Sequence, residues 1–216
     1  MGCKHLQLND SKTEIMVFSK CVKPSVEGLD MHIEPSSVMR GLGVILDNQL
    51  SFEAHIKNRC KLAFWQLRDI RRTARFCSRE TLVLLVHRYV FPQIYFCMSL
   101  TAGLPQNLHN KVQRVINAAA RLVTGCHYTD HISPHLRELK WLTSKKSAQL
   151  ALLTIVSQCL TTGQPEYLKE LITVHRPTRE LRSDDLFNNL PFYYRKIAFS
   201  NTQRFKHELK AFFLNG

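Results

Sequence analysis

Acidic residues are scarce in this chain. Of its 216 residues only 17 are Asp or Glu, against 30 Lys or Arg, so the formal net charge is +13. A surplus of this sign favours a polyanionic partner such as RNA or DNA, with an anionic membrane surface as the weaker alternative. Because 44% of the residues are hydrophobic, the chain still has enough apolar surface for a folded core, and we expect most of it to be ordered.

A long uninterrupted apolar run is also lacking. The most apolar stretch, Leu82 to Leu100, contains His87, Arg88, Pro92 and Gln93. These residues are costly inside a bilayer, so the stretch predicts a buried helix and not a membrane span. The first residues lack the apolar core of a secretory signal, and we therefore expect no export.

Cysteine pairs are missing as well. The seven cysteines are odd in number and scattered, and none forms a C-x-x-C motif. This spacing argues against both a disulfide framework and a zinc finger. We expect reduced thiols in a cytoplasmic or nuclear protein.

The catalytic motifs of common enzymes are absent too. The chain has no Ser-His-Asp order, no Gly-rich phosphate loop and no HExxH motif. Asp184 and Asp185 form an adjacent acidic pair, and two-metal phosphoryl transfer needs carboxylates around its ions, but Arg182 and Ser183 precede the pair where an aromatic strand residue would be needed. The pair is predicted to lie in a solvated loop.

One group of residues resembles a zinc site in composition. Cys126, His127, His131 and His135 are close enough in sequence to converge on a tetrahedral ion. Pro134 and the loop-like stretch between them argue against convergence. We therefore predict no metal and no cofactor.

The patterns that are present predict a mainly α protein with a small β segment at its N-terminal end. Short strands are predicted at residues 14–19, 31–34 and 41–46, and the last of them contains two glycines. Ser51 is a candidate N-cap for a long helix. Further helices are predicted over residues 79–100, 108–124, 134–139, 145–160, 166–171 and 199–214, with a loop at about 175–195.

The long helix after Ser51 has two distinct sides. Its apolar stripe recurs at spacings of four and three and comprises Phe52, Ile56, Cys60, Ala63, Leu67, Ile70 and Ala74. Its basic face, within about 60° of the helix circumference, comprises Lys57, Lys61, Arg68, Arg72 and Arg75. Phe64 and Trp65 lie at the margins of this face. Long cations along a helix can bind phosphates, and the two aromatic rings can stack on bases, so these seven residues are the principal candidates for nucleic-acid binding; a solvated surface is the alternative.

The helix at 108–124 offers a smaller cationic edge. Leu108, Val112, Val115, Ile116, Ala119, Leu122 and Val123 share its apolar side, and Gly125 is placed to end it. Lys111, Arg114 and Arg121 gather on the flank of that side. They are the second set of candidate nucleic-acid ligands.

Ordered motifs along the chain resemble the region that follows the catalytic core in LINE-type non-LTR retrotransposon reverse transcriptases of the jockey-like group. Residues 6–14, which include Asn9 and Lys12, resemble the L-x-L-N-x-x-K-T-E element of the palm. Residues 41–56 resemble the L-G-V-x-L-D…L-S-F…H-I segment, in which a primer-grip hairpin leads into the thumb. Residues 104–125, 130–142, 179–183 and 190–210 continue the resemblance in order.

The resemblance implies a palm remnant at 1–50, a thumb-like helical domain at 51–126 and a C-terminal helical region at 127–216. In that family the magnesium-binding aspartates lie upstream of the L-x-L-N element, so this chain is expected to lack catalysis. Tyr95-Phe96-Cys97 replaces the commoner D-Y-C, and the chain is shorter than the family between Ser183 and Leu190.

The expected function is nonspecific binding of RNA or an RNA-DNA template-primer. One alternative is a protein-interaction module that pairs with a partner or with itself through Ile15, Val17, Val44 and Leu46, if these have lost their sheet neighbours. A remnant without selected function is the other alternative.

Overall fold

In the computed structural model of the chain, the residues described are 13–18, 35–172, 190, 198 and 201–215. They are mainly helical, with one two-stranded antiparallel sheet ahead of the helices, as the sequence predicts. The chain packs as two compact units, Met1–Asn58 and Arg59–Gly216. The three-part division at residues 50 and 126 stays a prediction.

The regular elements are short strands followed by helices of unequal length. The strands are β1 (Val38–Gly41) and β2 (Val44–Asp47). Within the described residues, the helices with defined bounds are α1 (Glu53–Thr73), α2 (Arg79–Leu85), α3 (Phe91–Tyr95), α4 (Gln106–Thr124), α5 (Ile132–Glu138), α6 (Ser144–Thr162), α7 (Glu166–Glu170) and α8 (Thr202–Asn215).

The sheet of the first unit is a tight hairpin. β1 and β2 pair in the register Val38↔Asp47 to Gly41↔Val44, so Leu42 and Gly43 form a two-residue turn. Both turn residues have positive φ, 48° and 82°, as such hairpin turns require. The prediction of one strand over 41–46 is therefore wrong, because Gly41 ends one strand and Gly43 lies in the turn before the next. Residues 14–18 are not a strand either, although the Ile15 carbonyl accepts a hydrogen bond from the Ser36 amide at 2.8 Å.

Replacing Leu42 by asparagine is expected to stabilise this hairpin by about 0.5–1 kcal/mol. Leu42 is fully exposed, so its side chain gains nothing from burial, and its positive φ disfavours a residue with a bulky Cβ substituent. Slower amide exchange at Val44, measured by NMR, would report the change. Leu42→Val is the control and is expected to accelerate exchange, because β-branching adds strain. Faster exchange in Leu42→Asn would contradict the strain argument.

Asp47 links the hairpin to α1. Its carboxylate accepts hydrogen bonds from the amides of Gln49 (3.1 Å), Ser51 (2.8 Å) and Phe52 (2.8 Å), and from the Ser51 hydroxyl (3.0 Å). Partial burial acts to raise the pKa of Asp47, but these hydrogen bonds together hold it below its ordinary value. The helix begins at Glu53, whose amide donates to the Ser51 hydroxyl at 3.3 Å. Ser51 thus caps the helix from one position further out than predicted.

The helix predicted over 79–100 is interrupted. Ser78 caps α2 by accepting from the Thr81 amide, but residues 86–90 are π-helical and α3 ends at Tyr95. Pro92 has no amide hydrogen for the carbonyl four residues earlier, which explains a change of helix type just before it. Cys97 then adopts a left-handed backbone (φ 53°), and a 3-10 turn, Met98–Thr101, follows. The prediction of a single helix that continues to residue 100 is therefore wrong beyond Tyr95.

The core of the second unit is built on α4, α6 and α8. On α4 the predicted apolar side is buried except for Leu122, which is half-buried, and the Gly125 amide closes the helix on the Arg121 carbonyl at 2.9 Å with a positive φ of 68°. A second cluster joins α6 to α8 and comprises Leu142, Leu150, Leu153, Leu190, Ala198, Phe205 and Leu209. The α6 hydroxyl of Ser157 also donates to the Ala198 carbonyl at 2.9 Å.

A buried polar pair fixes the start of α6 against α4. The side chains of His109 and Ser144 are 3.1 Å apart, and the Ser144 amide donates to the Gln113 side-chain carbonyl at 2.8 Å. Burial lowers the pKa of His109, and the Lys145 ammonium lowers it further, while a backbone hydrogen bond with Thr101 acts in the opposite direction. The folded protein therefore favours the neutral imidazole.

The stability of the second unit is expected to fall as the pH drops below the ordinary histidine pKa of 6.5. Below that pH the unfolded chain binds a proton that folded His109 still rejects, so acid favours unfolding until the lower, folded pKa is reached. Urea unfolding at several pH values between about 7.5 and 5.5 would show how the free energy of unfolding depends on pH. In His109→Gln this dependence should be shallower. His131→Gln, at an exposed position, is the control. If the free energy of unfolding depends on pH equally in His109→Gln and in the unsubstituted chain, His109 is not the cause of the loss of stability in acid.

Candidate nucleic-acid interface

The side of α1 that faces solvent is determined by its apolar stripe. Ile56, Cys60, Ala63, Leu67 and Ile70 are all buried, as predicted. Phe52 and Ala74, at the ends of the stripe, are half-buried. Because the stripe repeats with the helical period, the opposite side of the helix is left exposed.

All five residues of the basic face are exposed, and so are both aromatic residues beside it. Trp65 is 55% exposed and Phe64 42%. Lys57 lies in the first unit and the other six lie in the second, on the same continuous helix and the turn that follows it. Within the second unit, the structure therefore presents Lys61, Phe64, Trp65, Arg68 and Arg72 along one side of α1, and Arg75 is exposed on the 3-10 turn that follows it.

Two of the cations have acidic neighbours on their own helix. Lys57 Nζ is 3.0 Å from Glu53 Oε1, and an Arg72 guanidinium nitrogen is 3.4 Å from Asp69 Oδ1. Both pairs are exposed, and such pairs contribute little free energy, so a phosphate can replace the carboxylate at small cost. Lys61 and Arg68 make no ion pair within the part of the chain that the structure describes.

Two further residues extend the basic face beyond the sequence prediction. Arg71 is exposed and projects about 40° from Lys57 on the margin occupied by Phe64, a position that the same helical projection could have identified. Phe76 is 77% exposed, and the Arg75 guanidinium lies 4.6 Å from its ring centroid. Phe76 belongs to a 3-10 turn, Ala74–Phe76, so a projection at the α-helical angle does not place it.

The predicted cationic edge of α4 is not one surface. Arg114 is exposed, but Arg121 is half-buried and donates to the carbonyls of Tyr128 (3.3 Å) and Asp130 (3.5 Å). Its guanidinium also lies 5.3 Å from the Tyr128 ring centroid. These contacts engage Arg121 in holding the loop that follows α4.

Lys111 lies toward the core. Burial raises the pKa of the Cys60 thiol to about 11, and the charge of Lys111 opposes this effect. Lys111 is therefore close to Cys60, a buried residue of the α1 stripe. Of the three α4 candidates, the exposed one is Arg114.

The cysteine and histidine group after α4 spans a hydrogen-bonded loop and α5, on which His135 lies. The His127 amide donates to Asp130 Oδ2 at 2.7 Å, and its ring Nδ1 lies 2.8 Å from the Thr129 hydroxyl. Among the described residues, no three His, Cys, Asp or Glu side chains are arranged to hold a metal ion. Asn9, Lys12, Asp184 and Asp185 lie outside the described residues.

The apolar edge expected for a partner chain does not form from the four residues predicted. Val44 is buried, and Ile15, Val17 and Leu46 are half-buried. Among the described residues of the first unit, the exposed large apolar side chains are Phe18, Val38, Leu42 and Leu50.

In the described residues, the helices are all too short or too polar to cross a bilayer. Comparison of the chain with protein-family models, with curated proteins and with solved structures gave no match.

Proposed function

We propose that the chain is a catalytically incomplete piece of a retrotransposon reverse transcriptase that binds RNA or an RNA-DNA template-primer through the basic face of α1. The observation that carries the proposal is the exposure of five cations and two aromatic rings on α1 and the 3-10 turn that follows it. The motif resemblance supports the assignment to a thumb-like element. A cytoplasmic or nuclear location, where such polyanions occur, belongs to the same proposal.

The geometry favours binding to the sugar-phosphate backbone. At about 1.5 Å per residue, Lys61 and Arg72 are about 16 Å apart along the helix axis, which corresponds to the axial length of about four to five phosphates of one strand. In this mode the cations contact phosphates, which are the same at every nucleotide, so the binding is independent of sequence. Phe64 and Trp65 add stacking, which every base accepts.

A salt series with a labelled RNA-DNA hybrid tests the proposal. The logarithm of the association constant is expected to fall linearly with the logarithm of salt concentration, with a slope of about 3–5 for four to six phosphate contacts. Hybrids of different sequence should give the same affinity within error. If binding is weak at low salt and the association constant does not change with salt concentration, the basic face is ordinary solvated surface.

A further inference from the structure

A cavity of about 510 Å³ lies in the second unit, away from the basic face. Its size is within the range of about 300–1,000 Å³ that small-molecule sites occupy. Its lining comes from four places in the chain: residues between 87 and 99, the turn before α6 (residues 140–142), one side of α6, and α8. Aliphatic side chains form much of the lining: Met98, Leu142, Leu150, Ala151 and Ile155.

One wall of the cavity is a cluster of rings in fixed contact. The Trp141 ring packs edge-on against Phe91 (4.7 Å between centroids, 73°) and against His87 (5.7 Å, 82°). His87 and Phe91 make a third such contact at 4.8 Å. Trp141 and Phe91 are buried, so this wall is held by its own packing.

The rim of the cavity is cationic. Lys140, Lys206 and Lys210 line it, all three are exposed, and none of its described lining residues is acidic. Burial lowers the pKa of His87, and the charge of Lys210 lowers it further, which places the Lys210 ammonium on the His87 side of the cavity. The three ammonium groups make no ion pair within the residues that the structure describes.

We propose that this cavity binds a small aromatic anion, with its ring against Trp141 and Phe91 and its anionic group on Lys206 and Lys210. A flat ring can extend the edge-to-face cluster, whereas a purely polar anion would leave the apolar lining unfilled. A carboxylate, a phosphate or a sulfonate satisfies the lysines equally by charge. The site does not involve α1 and is independent of the proposed nucleic-acid binding.

Energy transfer from Trp141 to anilinonaphthalene sulfonate is the direct test. The chain has 2 tryptophans, so Trp65→Phe leaves Trp141 as the single donor and removes the one on the basic face. We expect the probe to quench Trp141 fluorescence saturably, with one probe bound per chain. Naphthalene sulfonate should displace the probe. Neutral naphthalenemethanol and aliphatic decanoate should not displace it at the same concentration. Equal displacement by either compound would overturn the corresponding part of the proposal, the anionic group or the aromatic body.

Matched variants in the Trp65→Phe background locate the site. Lys206→Gln with Lys210→Gln is expected to raise the Kd of the probe about tenfold, whereas Lys145→Gln with Lys169→Gln removes the same charge from exposed positions outside the cavity and should leave it within about twofold. Ala151→Phe should fill the cavity and abolish quenching. Equal affinities in the two lysine pairs would overturn the proposal, and because all four lysines are exposed, this comparison does not depend on Ala151→Phe folding.

Discussion

Reversing Lys61, Arg68 and Arg75 to glutamate is expected to weaken binding to an RNA-DNA hybrid about 100-fold or more and to reduce the salt slope by about two to three. Each reversal removes a phosphate contact and adds a repulsive charge on the same side of the helix. All three residues are exposed and none has an acidic partner in the described part of the chain, so the folded state loses no ion pair. Fluorescence anisotropy across the salt series measures both quantities.

The matched control is reversal of Arg88, Arg137 and Lys169, which are also exposed and lie on other elements. Both triple variants have the same net charge, so long-range attraction to the nucleic acid changes equally. The control should retain most of the affinity and nearly the full salt slope. If both variants lose affinity equally, binding depends on net charge alone and the basic face has no special role. Far-UV circular dichroism would confirm that each variant keeps its helices.

The long helices and the basic face could be predicted because both depend on one period. In α1 the buried stripe repeats every three or four residues, so the same count that identifies Ile56 and Leu67 as buried also identifies Lys61 and Arg68 as exposed. The predictions fail where the backbone does not follow the α-helical period. Pro92 changes the helix type, and Leu42 is in a turn conformation that its side chain disfavours.

Contacts between distant segments could not be predicted from spacing. Arg121 has the sequence position of a solvent-facing cation, but the loop that follows α4 folds back and places two carbonyls beside it. Likewise, Trp141, just before α6, meets Phe91 of α3 only through tertiary packing, so the cavity has no signature in the sequence. The periodic part of the candidate site was therefore accessible to sequence reasoning, whereas the parts made by tertiary packing were not.

Truncating Phe205 to alanine is expected to destabilise the second unit by about 3–5 kcal/mol. Phe205 is fully buried on α8 and belongs to the cluster that includes Leu153 of α6 and Leu142 before it. The cost combines the lost burial of the ring with the cavity left behind, since the residues around it come from three separate segments and cannot close together freely. Chemical denaturation would measure the free energy of unfolding.

Phe212→Ala is the control on the same helix. Its ring is 38% exposed and packs at 5.9 Å from Phe213, so its loss should cost about 1 kcal/mol or less. The difference between the two variants isolates the effect of docking α8 on α6 from that of helix propensity, because both replace the same residue type in one helix. Equal small effects would mean that α8 is not part of the cooperative unit. In that case the α6–α8 cluster, and with it the lysine rim that α8 supplies to the cavity, would open without unfolding the rest of the second unit.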